Sequence, residues 1–187
     1  MNPPAASLPD LAGPFDLRND LRPGDLGAII SLHGTVFAQE CGFDSTFEAH
    51  IAHLLGEFVK ARSERDQLWI AEQEGRLVGS IAVVSLSGKD AQLSWFLVDP
   101  SVRSLGLGRR LLDEAIAFCR RWEYEYVFLR NFRVLATASR LFRSVGLAKA
   151  GERPSERWGA AVVEELYVLH PLGRRVKEQA DEPVRLP

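Results

Sequence analysis

Six consecutive residues of the sequence have the types and the spacing needed to bind an anion: Arg103, Ser104, Leu105, Gly106, Leu107 and Gly108. They lie between a predicted strand and a predicted helix, so unpaired backbone N–H groups converge there at the positive end of the helix dipole. The two glycines remove side chains that would block an anion, and they permit the positive φ angles of an amide nest. Arg109 and Arg110 add positive charge to the first helical turn. The pattern predicts a phosphate-binding loop, with a tight turn and solvated arginines as the structural alternative.

Two other phosphate-binding motifs are excluded by the residues present. A Walker loop requires Gly-Lys followed by Ser or Thr, but the Gly-Lys pair that starts at Gly88 is followed by Asp90. A dinucleotide-binding fingerprint would place its third glycine at Leu111, and the strands before the loop are predicted to be antiparallel hairpins. The sequence therefore argues against a P-loop nucleoside triphosphatase and against a Rossmann domain.

Composition and charge narrow the function classes further. The chain has 187 residues, of which 46% are hydrophobic, and a formal net charge of -2. This length supports one core, and the nearly neutral charge offers no field that would gather nucleic acid or an anionic membrane. No apolar run approaches the roughly 20 residues of a membrane span, so we expect a cytoplasmic protein. Cys41 and Cys119 have no neighbouring residues at ligand spacing, so we expect no metal site.

The two ends of the chain differ from its middle in composition. Residues 1–14 contain four prolines, and the charged end over residues 172–187 contains two more. Neither end has enough large apolar side chains to bury much surface. We therefore expect disordered tails at 1–14 and 172–187 and one domain over residues 15–171.

Hydrophobic periodicity predicts the elements that position the loop. A first strand precedes two helices, one from about Leu26 and one from Ser45, where Ser45 and Glu48 form a predicted capping box. Alternating segments then predict three antiparallel strands, LWIAEQ, LVGSIAVVSL and AQLSWFLVDP. The loop and its helix follow, and a further helix ending at Gly146 lies between two more predicted strands, YEYVFLR and VVEELYVLH. The order predicts an α+β domain built around one central mixed sheet.

The segment VDPSVRSLGLGRRLLDEAIAFCR resembles the acyl-CoA binding motif of the GNAT superfamily of N-acyltransferases, a hydrophobic strand followed by R/QxxGxG/A and a helix. The strand, Pro100, Arg103, both glycines and the helix fall in register with that motif. The segment from Ala138 to Leu147 resembles the family's second motif. More loosely, LHGTVFAQECGFDSTFE and SWFLVDP are similar to GNAT domains fused to winged-helix regulators of the MarR type. The resemblance implies a central mixed, mostly antiparallel sheet of about six to seven strands, flanked by about four helices.

The resemblance also implies a reaction and the residues that bind its co-substrate, acetyl-CoA. The pantetheine arm would pair with the backbone of Phe96, Leu97 and Val98, and the diphosphate would bind the loop. A primary amine of a small molecule or a peptide would attack the thioester directly in a ternary complex, with the Val98 backbone amide holding the oxyanion. The predicted partner is that amine. A homodimer, in which a second copy of the chain is also a partner, is left open.

The sequence departs from the family pattern at residues that usually transfer protons. The strand position that often carries a carboxylate is Gln92, which can orient water but cannot accept a proton. The tyrosine that often protonates the leaving thiolate falls at Phe142, which we also expect to contact the co-substrate. The asparagine that is frequent seven residues earlier falls at Leu135. A non-catalytic sensor that binds acyl-CoA is therefore the alternative to the enzyme.

Three carboxylates are candidates for the missing base: Glu40, Asp44 and Glu72. The resemblance places Glu40 and Asp44 in the segment that lines the acceptor pocket, although such acids are more often solvated caps. His33 lies on the apolar helix face and is predicted to be a core histidine. The catalytic candidates are thus Glu40, Gln92 and Val98, and the acceptor-pocket candidates are Phe43, Asp44, Glu72 and Trp158.

Overall fold

The computed structural model describes residues 15–86 and 88–169. Their elements, in chain order, are β1 (Asp16–Arg18), α1 (Asp25–Cys41), α2 (Ser45–Ala61), β2 (Gln67–Gln73), β3 (Arg76–Ser85), β4 (Asp90–Val98), a 3-10 helix (Pro100–Val102), α3 (Leu107–Arg121), β5 (Tyr126–Phe132), α4 (Ala136–Ser144), β6 (Leu147–Arg157) and β7 (Ala160–Leu169). None of these helices combines the length and the hydropathy that crossing a bilayer requires. The predicted tails at 1–14 and 172–187, and the last two residues of the predicted domain, lie outside the described residues.

The strands form a single mixed sheet in the order β1-β2-β3-β4-β5-β7-β6. Within the described residues only the β4 and β5 pair is parallel, and every other neighbouring pair is antiparallel. The predicted α+β class, with its mostly antiparallel sheet and flanking helices, is confirmed.

Each face of the sheet is covered by one pair of helices. On one face Ile29 of α1 and Leu55 of α2 pack in a core with Leu68 of β2. On the other face α3 and α4 contribute Leu111 and Phe142 to a core that contains Trp69 of β2. Leu68 and Trp69 are neighbours in the chain, and successive side chains of a strand point to opposite faces. Strands β2, β3 and β4 are therefore buried on both sides, as their nearly continuous apolar sequences indicate, whereas the edge strand β6 is mostly exposed.

The start of α2 differs from the predicted capping box. The helix begins at Ser45, but its N-cap is Asp44, whose Oδ1 accepts a hydrogen bond of 2.9 Å from the backbone N–H of Thr46. The prediction that Ser45 caps the helix is wrong because Asp44 stands one residue earlier in extended conformation and already binds a free N–H group.

The two central strands pair with each other over a short distance only. Residues 90–93 of β4 pair with residues 126–129 of β5. Beyond this point β4 continues to pair with β3 as far as Val98, while β5 continues to pair with β7 as far as Phe132. A bulge in β4, where Trp95 has a φ of 47° and the register with β3 shifts, accompanies the separation. Because bulges bend and twist a strand, β4 and β5 diverge and open a gap in the middle of the sheet.

His33 of α1 is buried, as the sequence predicted, but its Nε2 atom has no hydrogen-bond partner among the described residues. It is 2% exposed, and its Nδ1 lies 2.9 Å from the carbonyl oxygen of Ile29, to which it donates when Nδ1 carries the proton. Its ring stacks on Phe37 at a centroid distance of 6.0 Å. Burial lowers the pKa of His33 to about 4, and the hydrogen bond to Ile29 offsets only part of that effect. The folded protein therefore contains this imidazole in its neutral form at pH 7.

The burial of neutral His33 makes stability depend on pH. Unfolding restores its ordinary pKa of 6.5, so between pH 6.5 and 4 the unfolded chain binds a proton that the folded chain does not. Between pH 7 and pH 5 we expect wild type to lose about 2 kcal/mol more unfolding free energy than His33→Gln. Urea unfolding at both pH values measures the difference. Equal losses in the two proteins would contradict this account.

Candidate active site

The gap between β4 and β5 opens into a cleft of about 690 Å³. The cleft extends from the loop before α3, along both strands, to a wall formed by α1, α2 and the turn between β6 and β7. This volume lies in the range of pockets that bind small molecules, roughly 300 to 1,000 Å³. Most site residues predicted from the sequence line it; the ones that do not are Phe43, Asp44, Glu72, Leu105, Leu107 and Arg110.

The loop before α3 contains two residues in left-handed conformation. Ser104 has a φ of 67° and Gly106 a φ of 85°. Gly106 is the N-cap of α3, and no side chain in the described part of the chain caps this helix start. The N–H groups of the first turn have no partner within the helix, so they are available to an anion in the cleft.

The two glycines of the loop have different structural roles. No described atom lies within 4 Å of a Cβ placed on Gly106, so this residue is needed for its backbone conformation and for the open space beside it. Gly108 is already inside α3, and a Cβ there would lie 2.9 Å from Cδ2 of Leu141 and 3.5 Å from Val98 Cγ2. Only Gly106 therefore provides a positive φ, whereas Gly108 lets α3 pack closely against α4 and β4.

Arg103 connects the loop to both sides of the cleft. Its Nε donates to the carbonyl oxygen of Val98 at 3.1 Å, and its Nη1 donates to Oε1 of Glu40 at 2.5 Å. The partners are partly buried, with the side chain of Glu40 26% exposed. Glu40, a predicted base, is thus an ion-pair partner that ties α1 to the loop.

The two arginines after the loop point in different directions. Arg109 lines the cleft, and its Nε contacts both carboxylate oxygens of Asp113 at 2.9 and 3.0 Å on the exposed face of α3. Arg110 donates instead to the carbonyl oxygen of Phe15 at 3.0 Å. Only Arg109 is therefore close enough to the cleft to contribute charge there.

Polar side chains of β4 face the inner end of the cleft. Gln92 is 5% exposed and Ser94 is 7% exposed. Neither the Oε1 atom of Gln92 nor the Oγ atom of Ser94 has a hydrogen-bond partner in the described part of the protein. Buried polar atoms normally have partners, so these two indicate groups that are satisfied by water or by a ligand.

Aromatic rings form the opposite wall of the cleft. Phe37, Phe47, Phe132 and Trp158 line it, and Phe43 lies behind them, 5.0 Å from the rings of both Phe47 and Trp158. The predicted pocket residues Phe43 and Trp158 are thus in contact, but only Trp158 reaches the cleft. Asp44 caps α2, and its backbone N–H donates to the Trp158 carbonyl oxygen at 2.9 Å, so it supports this wall from outside.

Of the predicted residues Phe142 and Glu72, only Phe142 lies in the cleft. Phe142 lines the cleft at 2% exposure, with its ring 5.6 Å from that of Phe96. Glu72 lies on the strand next to the β1 edge, where its Oε1 accepts from Arg18 at 2.7 Å, and it does not line the cleft. The structure therefore separates Glu72 from the other candidate bases.

Several cleft residues were not assigned to the site from the sequence, among them Ser94 of β4, His50 of α2 and Arg130 of β5. The ring of His50 lies 5.3 Å from Trp158, and its Nε2 is buried without a partner among the described residues. Burial, with a smaller contribution from Arg157, lowers the pKa of His50 below its ordinary 6.5. His50 lies at the border of the apolar stripe of α2, and Arg130 is the charged residue of an apolar strand. These two features of the sequence could have pointed to His50 and Arg130 as site residues.

A sheet opened between diverging parallel strands, with an uncapped glycine loop at the next helix start, is the architecture of GNAT acyltransferases. The chain belongs to the acetyltransferase (GNAT) family, whose model matches residues 34–147. Human N-acetyltransferase 8B is 28% identical over 107 residues, which are 54% of this chain and 46% of that protein. Rat N-acetyltransferase family 8 member 3 is 33% identical over 89 residues, 45% of this chain and 39% of its own. The chain thus spans about half the length, or less, of these curated relatives.

Solved structures share the fold at low sequence identity. An N-acetyltransferase from Staphylococcus aureus Mu50 superposes with a TM-score of 0.71 at 16% identity, over 85% of this chain and 99% of the other. The structure of yncA from Salmonella typhimurium with its cofactor acetyl-CoA gives 0.70 at 17% identity, over 90% of this chain and 99% of the other. Similarity at this level shows the common fold.

The contact between Gly108 and Leu141 predicts a position-specific cost in stability. Gly108→Val should lower the free energy of unfolding by about 1 to 3 kcal/mol, because the added atoms must displace the Leu141 side chain of α4. Gly27 is the control, since it is also helical but is exposed and has no described atom within 4 Å of a Cβ. Gly27→Val should change stability by less than about 0.5 kcal/mol. Chemical denaturation measures both, and an equal effect at the two sites would refute the packing role.

Proposed function

We propose that this protein is an N-acetyltransferase that moves the acetyl group of acetyl-CoA to a primary amine of a small molecule or a peptide. One observation carries the proposal: parallel pairing of β4 and β5 stops after Leu93 and Leu129, which leaves a cleft that reaches the anion-binding loop. Family membership and a shared fold with a structure that contains acetyl-CoA support the same chemistry. Because a single cleft borders both the loop and the aromatic wall, the amine attacks directly in a ternary complex.

The free edge of β4 suits the pantetheine arm of acetyl-CoA. The N–H and C=O groups of one residue in a strand point to the same edge, and those of the next residue point to the opposite edge. The N–H of Asp99 donates to the carbonyl oxygen of Val78 on β3 at 2.8 Å, so the backbone groups of Val98 point toward the cleft. Phe96 has the same direction, whereas Leu97 faces β3. Phe96 and Val98 therefore offer the polar groups that an amide-containing arm requires.

The diphosphate of acetyl-CoA belongs at the loop. The free N–H groups at the start of α3, the open space beside Gly106 and the guanidinium of Arg109 form a cradle for an anion. The ion pair between Arg103 and Glu40 fixes the loop relative to α1. The loop thus matches the ligand in charge and in the room left for close backbone contact.

The Val98 N–H is the proposed oxyanion donor. Its carbonyl oxygen is already occupied by Arg103 Nε, while the N–H group faces the cleft. A backbone amide fixed by a strand stabilises the negative oxygen that forms during attack without having to reorganise. The amine nitrogen bonds to the acetyl carbon, the carbon–sulfur bond breaks, and the thiolate leaves.

His50 is the proposed general base, in place of the carboxylate that the sequence lacks at Gln92. Its lowered pKa makes the imidazole neutral at pH 7, and the free Nε2 can accept a proton directly or through a water held by Gln92. Phe142 cannot protonate the thiolate, so the thiolate departs as an anion and takes its proton from solvent.

The alternative is a module that binds acyl-CoA without turnover. Gln92 and Phe142 motivate it, because both stand where proton-transferring groups are frequent in the family. The presence of His50 in the same cleft favours the enzyme, since a neutral imidazole restores a proton acceptor. Thiol release from acetyl-CoA in the presence of an amine distinguishes the enzyme from the binding module.

The conformation of Gly106 predicts a loss of coenzyme A binding that a matched glycine does not cause. Gly75, in the turn between β2 and β3, has a φ of 75° and likewise no described atom within 4 Å of a Cβ. Gly106→Val and Gly75→Val should both lose stability because valine is strained at positive φ. Only Gly106→Val should weaken coenzyme A binding, by roughly tenfold or more in calorimetric titration. Equal affinity in the two variants would argue against the loop as the diphosphate site.

Acetyl-CoA and a panel of primary amines test turnover directly. Wild type should release free thiol only when an amine is present, and kcat/KM should fall as pH drops below the lowered pKa of His50. His50→Gln should lower kcat by roughly 100-fold while leaving coenzyme A affinity unchanged. Binding of acetyl-CoA without thiol release across the panel would select the sensor instead.

A further inference from the structure

Arg130 is a partly buried cation, and its guanidinium lacks some of the hydrogen-bond partners that it could have. It lies on β5 where this strand leaves β4, it lines the cleft, and its side chain is 16% exposed. Its Nε has no hydrogen-bond partner in the part of the chain that the structure describes. The Nη1 atom comes no closer than 3.8 Å to Oε2 of Glu164. A guanidinium in this situation is expected to have an anionic ligand.

The charges around Arg130 leave an excess of positive charge. Glu164 is 3% exposed and accepts hydrogen bonds from Arg153 at 2.9 and 3.2 Å. Arg157 lies 3.7 Å from the same carboxylate. Three guanidinium groups therefore share one carboxylate. Burial, and secondarily the proximity of Arg153, lowers the pKa of Arg130, so an anion bound in the cleft would relieve an unfavourable environment.

Two free polar atoms stand on the same face of the sheet as Arg130. Gln92 pairs in register with Phe128, so their side chains share one face. Ser94 follows Gln92 by two residues, and Arg130 follows Phe128 by two, which keeps all four side chains on that face. The Gln92 Oε1 can accept from an amine, while the Ser94 hydroxyl and the Arg130 guanidinium can donate to a carboxylate. The inner end of the cleft thus presents one acceptor beside two donors.

Most of the remaining side chains at this end of the cleft are apolar. Phe37, Phe47, Phe132 and Trp158 line it, and Ile51 completes the wall. Such a wall takes up an aliphatic or aromatic group, and the imidazoles of His33 and His50 lie beside it, against Phe37 and Trp158.

We propose that the acceptor is an α-amino acid with an apolar side chain, whose free carboxylate is bound by Arg130 and Ser94 and whose amine contacts Gln92. This inference rests on the proposed function and specifies its substrate class. If the ligand had a neutral amide in place of the carboxylate, the guanidinium of Arg130 would be left without an anion from the ligand. Binding sites discriminate most strongly against ligands that leave a buried polar or charged group unpaired. The site therefore selects free amino acids over peptide N-termini.

Calorimetric titration of the protein saturated with free coenzyme A tests the assignment without requiring turnover. The probes are L-phenylalanine, L-leucine and their primary amides. Wild type should bind each acid roughly 10- to 100-fold more tightly than its amide. Arg130→Gln should abolish that preference by weakening binding of the acids alone. Arg153→Gln, which changes another partner of Glu164 that does not line the cleft, should retain it.

Each outcome decides the proposal. Equal or tighter binding of the amides, or no binding of either probe, overturns the substrate class. An unchanged preference in Arg130→Gln overturns the role of Arg130, and Arg130→Lys provides a second variant that keeps the charge if Arg130→Gln does not fold. Preference for the acids without acetyl transfer to them would instead refute the proposed enzyme and leave this binding site standing.

Discussion

The separation of β4 from β5 is the constraint on which the site depends. A parallel pair in the middle of a sheet would normally satisfy all its backbone groups, yet here the pairing ends after residues 90–93 and 126–129. The bulge at Trp95 turns β4 away, while β7 holds β5 on its other side. The backbone groups left free on β4 then become the polar lining of a cleft. An opening in the centre of the fold is stable because the outer strands and both helix layers remain paired and packed.

The loop before α3 is held by contacts from three sides, and this gives its amides a fixed direction. Arg103 binds Val98 of β4 and Glu40 of α1, so its side chain links the loop to both elements. Gly108 brings α3 against Leu141 of α4. Of the two glycines, only Gly106 has a left-handed conformation, and it caps the start of α3, where the first-turn N–H groups are free. Rigid support of this kind lets backbone dipoles act on an anion without being reorganised.

The inner end of the cleft is unusual because it combines burial with unmet hydrogen-bonding capacity. Gln92, Ser94, His50 and Arg130 each have a buried polar atom without a partner in the described structure. Such atoms lower stability, and proteins tolerate them mainly where function requires them. Their concentration on one side of an aromatic wall distinguishes this end from the loop end, where charge and free amides dominate. The two ends of the cleft therefore differ in chemistry.

The sequence by itself determined the features that depend on near neighbours. Hydrophobic periodicity located the helices and most strands. The glycine loop could be recognised because its residues are consecutive in the chain. Tertiary structure alone decided which distant residues meet: Arg103 and Glu40 are 63 positions apart, and Glu72 lies away from the cleft. His50 and Arg130 were missed for the same reason. Their surroundings come from a bulge and a strand separation, which arise from packing across the sheet. The chain itself shows only a histidine beside an apolar helix stripe and an arginine in an apolar strand, and neither pattern locates a cleft.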